Sequence, residues 1–120
     1  MFLLVICPHG YSQEVFAPIR DVMKTGNAKE VAKIFAPSVD MNLDGISNTY
    51  GKTQAEFVLR EFFKKHPISD FSIVHTGSSK GGRQYAIARY LSKNESYNVI
   101  IRVREEEGNY LIHEMNFVKE

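Results

Sequence analysis

Four β-strand candidates follow one another in the C-terminal half of the chain, and this feature constrains the fold most. They are Asp70–Thr76, Arg83–Ser92, Tyr97–Glu105 and Tyr110–Val118, rich in β-branched and aromatic residues. The turns between them, Gly77–Gly82, Lys93–Ser96 and Glu106–Asn109, carry the Gly, Asn and Ser expected of tight connections. The pattern predicts an antiparallel meander. A sheet with an apolar face must bury it against another layer, so the N-terminal half has to supply helices.

It does. Val15, Phe16, Ile19, Val22 and Met23 recur at close to helical spacing over Val15–Lys24, with Pro18 tolerable in the first turn. Thr25-Gly-Asn27 ends that helix. Asn27 is placed to cap a second one, Ala28–Phe35, before Ala36-Pro37 stops it. The strongest helix is Lys52–Lys65, with Ala55, Val58, Leu59, Phe62 and Phe63 on one stripe and His66-Pro67 closing it. Helix, helix, short hairpin, long helix and meander predict an α+β domain, with its helices on one face of an antiparallel sheet.

A chain of 120 residues is one domain by length. It is large enough to bury roughly two-thirds of its unfolded surface without disulfides or metals. Net charge is +1, with no basic or acidic block, which gives no support for nucleic-acid binding. No apolar run approaches the roughly eighteen residues of a membrane span.

The first residues differ from the rest. Phe2–Cys7 is a short apolar run, and Gly10 and Ser12 stand where a signal peptidase cutting before Gln13 would want small residues. The run is short and lacks a positive start, as a start codon placed too late would produce. Residues 1–12 are therefore expected to be a truncated signal-peptide-like segment. Residues 13–120 would form the domain, exported to the periplasm or outside the cell. Cys7, the only cysteine, falls within that segment.

Asp40-Met-Asn-Leu-Asp-Gly45 matches the opening half of an EF-hand calcium loop. The loop requires a bidentate carboxylate at its twelfth position, and Gly51 stands there. Val39, Met41 and Leu43 instead alternate with polar residues, and Asp44-Gly45 is the signature of a type I′ turn. A β-hairpin is expected, with a return strand over Ile46–Tyr50. Gly77-Ser-Ser-Lys-Gly-Gly82 lacks the following helix of a phosphate-binding P-loop and joins two strands. The four histidines, His9, His66, His75 and His113, form no metal-ligand spacing, and His66 belongs to a helix end. Neither a metal, a cofactor nor a specific catalytic nucleophile is expected.

Strand parity offers a weaker constellation. Tyr97, Val99, Ile101 and Val103 form the apolar face of one strand, leaving Arg102 on the other face. Leu111, His113, Met115 and Phe117 form the apolar face of another. If Phe71, Ile73 and His75, and Tyr85, Ile87 and Arg89, also face inward, then His113, His75, Tyr85, Arg89 and Tyr97 line one concave surface. A few polar groups in an apolar pocket is the usual composition of a ligand site. This placement assumes unbroken alternation, which a single β-bulge reverses.

The element order, together with "AKEVAKIFAPSVDMNL", "TQAEFVLREFFKKHPISDFSIVHTGSSKGGRQYAIARY" and "YLIHEM", resembles a family of small exported Bacteroidetes proteins known as DUF 4783. The "FFKKHP…FSIVHTGSSK…YAI" run is its specific part. The resemblance implies a nuclear-transport-factor-two-like, or cystatin-like, cone in which a curved sheet wraps a long helix. It supplies no catalytic residues. The Asp and Tyr set of the isomerases sharing that fold has no match, because Asp40 and Asp44 fall on the polar side of their strand.

Three functions remain open on the sequence. One is a non-catalytic exported module binding a small apolar or amphipathic ligand in the cone, or a partner through its sheet. Another is an acid–base enzyme of isomerase or dehydratase type using the cone, with His113 as its titrating group. The third is a structural homodimer, joined through the sheet face, whose cone is filled by Phe16, Phe35, Phe57, Phe62, Phe63 and Phe71.

Overall fold

The computed structural model describes residues 11–120, with side chains from Val15 onward. The expected signal-like segment lies outside the described residues up to residue 10. Helix α1 spans Tyr11–Lys24, α2 spans Ala28–Ala32 and α3 spans Lys52–Lys65. The strands are β1 (Phe35–Leu43), β2 (Ile46–Gly51), β3 (Asp70–Ser79), β4 (Arg83–Ser92), β5 (Glu95–Glu106) and β6 (Asn109–Lys119). They form one six-stranded curved sheet in the order β2-β1-β6-β5-β4-β3, and the helices pack on one face of it. The architecture is the expected α+β one. No helix among the described residues is long and apolar enough to cross a membrane.

Asp44 and Gly45 both adopt positive φ, 58° and 88°, as a type I′ turn requires. The Gly45 N–H donates to Asn42 Oδ1 at 3.1 Å, and the Thr49 hydroxyl donates to Asp40 Oδ1 at 2.6 Å across the hairpin. The EF-like stretch is a hairpin. Asn27 caps α2 as expected, its side-chain oxygen accepting from the N–H groups of Lys29 and Glu30.

Two expectations about β1 need correction. The helix begun at Ala28 stops at Ala32, and Phe35 already belongs to the sheet. Ile112 N donates to the Ile34 carbonyl at 2.7 Å, and Phe35 pairs with Ile112. Fully buried Phe35 and Ala36 thus join the sheet instead of extending a helix. The sheet is also mixed rather than purely antiparallel, because β1 runs parallel to β6. Pro37, which has no N–H to donate, lies where that parallel ladder breaks between Phe35 and Asp40.

The core forms between the helices and the inner sheet face. Tyr90 and Tyr97 sit opposite each other on β4 and β5, and both are fully buried. Beside them come Ala88 opposite Val99 and Ala86 opposite Ile101. From the helices, Phe16, Met23, Leu59, Phe62 and Phe63 fill the space over the sheet. Phe57 is the exception among the expected filling residues: it is 53% exposed.

Candidate functional site

Packing closes the inside of the cone. The Phe62 ring lies 4.6 Å from Phe117, 5.3 Å from Tyr97 and 5.5 Å from Tyr90, centroid to centroid. Most of these contacts are tilted or edge-to-face, the arrangements that favour ring quadrupoles.

A cluster of polar groups gathers at the mouth of the cone, where α3 ends. His66 is the C-cap residue of α3, held by its N–H to the Phe62 carbonyl, and Pro67 after it keeps its backbone out of the helical region. Its Nδ1 lies 2.7 Å from Glu95 Oε1, and Glu95 Oε2 takes Lys119 Nζ at 3.2 Å. The Tyr97 hydroxyl is 3.3 Å from His66 Nδ1, and the Tyr90 hydroxyl donates to the His66 carbonyl. Hydrogen bonds from His66 and Lys119 hold the Glu95 carboxyl below its ordinary value. Burial, with the charges of Glu95 and Asp44 adding, pushes the Tyr97 phenol up. Burial likewise pushes Tyr90 up.

An apolar cleft of about 300 Å³ opens beside this cluster, between the β1–β2 turn and α3. Leu43, Ile46, Tyr50, Phe57 and Val58 line it, with His66 and Lys65 at one end. Ile46 and Phe57 stand 65% and 53% exposed there.

The outer face of the sheet forms a second concavity, a trough of about 400 Å³. Asp40, Arg83, Tyr85, Arg102, Arg104 and His113 are among its lining residues. Tyr85 owes its pose to a glycine: Gly77 lies opposite on β3, and a Cβ there would fall 2.5–2.6 Å from the Tyr85 ring. The phenol of Tyr85 reaches to 3.5 Å from His75 Nε2.

The five expected site residues therefore divide between faces. Tyr97 alone points inward, into the packed aromatic cluster. Tyr85 and His113 line the outer trough, with His75 beside Tyr85. Arg89 is farther along the outer face, paired with Glu120 at 3.0 Å. The expected inward convergence is corrected for two physical reasons. On β4 the inward residues are Ala86, Ala88 and Tyr90, since Tyr90 pairs with Tyr97 and the small alanines lie under the helices. On β3 and β6, bulges reverse the parity. Ile73 pairs with Ala88 but His75 with Ile87, leaving Val74 as the extra residue. Val103 pairs with Ile112 but Arg102 with Glu114, leaving His113 as the extra residue. Ile112 then takes the buried place expected for Leu111. Arg102, set apart from the group by parity, shares the trough with Tyr85 and His113.

Sequence reasoning passed over Glu95 and the pairing role of His66. One signal was available: Glu95 and Tyr97 lie two apart on one strand and share a face. It also passed over Arg83 and Arg104, whose juxtaposition depends on the β4–β5 register.

Solved structures share this architecture. A DUF4783 family protein from Bacteroides ovatus superposes with a TM-score of 0.82 at 26% identity, covering 90% of this chain and 97% of the other. One from Bacteroides uniformis gives 0.79 at 24% identity, with 85% and 94% covered. An uncharacterised protein with a cystatin-like fold from Caulobacter vibrioides gives 0.68 at 14% identity, with 90% and 86% covered. The expected nuclear-transport-factor-two-like, cystatin-like fold is thus the one observed. No curated protein matches the sequence. The family described as a domain of unknown function, DUF4783, matches residues 16–117, and the chain belongs to that family.

Proposed function

We propose that this domain is a non-catalytic binding module that takes a small apolar or amphipathic molecule in the cleft at the cone mouth. One observation carries the proposal. Phe57 and Ile46, two large apolar side chains left exposed, converge on a single concavity instead of being scattered. A folded monomer gains nothing by exposing them together, and a ligand that covers them recovers the hydrophobic free energy. The size of the cleft, about 300 Å³, suits a small molecule.

The polar end of the cleft supports binding over turnover. His66 is engaged with Glu95, Glu95 with Lys119, and Tyr90 with the His66 backbone. These groups latch the end of α3 to β4 and β5, with Lys119 of β6 tied in through Glu95, and supply a polar rim for a ligand headgroup. His113, which would serve acid–base chemistry inside the cone, bonds Glu106 on the other face. Export belongs to the same proposal and rests on the Phe2–Cys7 run.

Titration with Nile red, a neutral apolar dye, tests the assignment. Saturable binding to the unaltered protein is expected, lost in Phe57→Asn. Replacing so exposed a residue changes stability by no more than about 0.5 kcal/mol, so the variant should melt with the parent. Binding that persists in Phe57→Asn, or none in the parent, would remove the cleft from the function.

A further inference from the structure

Arg83 and Arg104 face each other across β4 and β5 on the outer side of the sheet. Like charges placed directly opposite on an antiparallel pair repel. The other arginines each hold a carboxylate: Arg20 with Asp21, Arg60 with Glu56, Arg89 with Glu120 and Arg102 with Glu114. Arg83 and Arg104 hold none among the described residues. Moreover, Arg104 Nε is shut off from solvent without a hydrogen-bond partner. A buried donor left unpaired is rare in folded proteins and calls for an explanation.

Both guanidinium groups line the outer trough. The acids that line the trough, Asp40 and Glu114, have partners. Asp40 accepts from the Thr49 hydroxyl, and Glu114 takes Arg102 at 3.3 Å and accepts from Asn116. Glu106 holds His113 at 2.7 Å. What the trough leaves without an ion-pair partner is therefore two guanidinium groups, whose planar forks match oxyanions, with Asp40 the one lining carboxylate bonded to a hydroxyl instead of an arginine. Ser38, Ser79 and Tyr85 also line the trough.

We infer that the outer trough binds a small molecule through an oxyanion group, phosphate or carboxylate, gripped between Arg83 and Arg104. The Tyr85 ring, seated over Gly77, is the apolar wall for the rest of that molecule. This site lies on the opposite sheet face from the cone-mouth cleft, and the inference stands independently of the ligand proposed there.

Calorimetric titrations with sodium phosphate and with sodium citrate, at constant ionic strength set by sodium chloride, test it. Saturable binding of at least one anion is expected. Phosphate alone assigns a phosphoester ligand, citrate alone a polycarboxylate, and both the shared oxyanion chemistry. Arg83→Gln and Arg104→Gln should each weaken binding at least about tenfold, the loss of one charge-assisted contact. Arg89→Gln removes the same charge from the same face outside the trough and should leave affinity unchanged. If Arg104→Gln fails to fold, exposed Arg83 carries the comparison alone. Absence of saturable binding, or binding weakened equally by Arg89→Gln, or unaffected by Arg83→Gln, would overturn the inference.

Discussion

The two faces of β5 use their polar groups in opposite ways. On the inner face Tyr97 and Glu95 meet Tyr90, His66 and Lys119, and each group has a partner. On the outer face, at the far end of the strand, Arg104 meets Arg83 and neither has one among the described residues. A helix layer covers the first face, so an unpaired group there would cost free energy with no route to water. Solvent reaches most of the second face, where unpaired charge is tolerable and a ligand can use it, although Arg104 Nε itself is shut off from water. The difference sets the packed inner face against the outer trough, where the oxyanion site is proposed.

The sharpest way to break this comparison is to open the inner face. Phe62 is 5% exposed and touches Phe117, Tyr97, Tyr90 and His66. Phe62→Ala should lower unfolding free energy by about 3–5 kcal/mol, read from the midpoint of denaturant unfolding. A loss below about 1 kcal/mol would mean the cone is not closed by packing.

Alkaline pH probes the same face with a smaller effect. The Tyr90 phenol is held above its ordinary value of 10.0 by burial, with Tyr97 adding, and Tyr97 shifts the same way. Both therefore keep their protons in the folded state after the unfolded chain has lost them. Stability is full below pH 10 and falls as pH rises from there toward the folded values. Lys119, raised by its bond to Glu95, acts in the same direction. Melting temperature should decline above about pH 10, with a shallower decline in Tyr90→Phe. Identical slopes in the two proteins would show that Tyr90 is not the buried phenol responsible.

The smallest effect has the opposite sign. Arg83→Gln relieves the repulsion with Arg104 and should raise stability by a few tenths of a kcal/mol, seen in matched thermal melts at low salt. Added salt should shrink the gain by screening. A variant less stable than the parent would mean that Arg83 already has a compensating partner, and the contrast between the two faces would weaken.

Local chemistry was legible in the sequence, and pairing was not. The Asp44-Gly45 turn, the Asn27 cap, the full span of α3 and all four C-terminal strands follow from short-range signals. Each reports a backbone preference of a few neighbouring residues. The inward face of β5 was also legible, because Tyr97, Val99, Ile101 and Val103 leave no polar competitor on their side. On β4 both faces are mixed, Tyr85, Ile87 and Arg89 against Ala86, Ala88 and Tyr90, so composition could not choose. The candidate site suffered most. Unbroken alternation would put His75 and His113 inside the cone, but one extra residue on each strand turns them out.

By itself, then, the sequence determined the order of helices, strands and turns, and that the helices cover one side of the sheet. Those outcomes depend on dihedral preference and on hydrophobic period, both local properties of the chain. The tertiary structure decided that Phe35 leaves its helix for β6, that β1 runs parallel to β6 and that His66 closes onto Glu95. It also decided that two arginines far apart in the chain confront each other. Register and bulges arise only when strands pair, and a shift of one residue exchanges the faces of a strand.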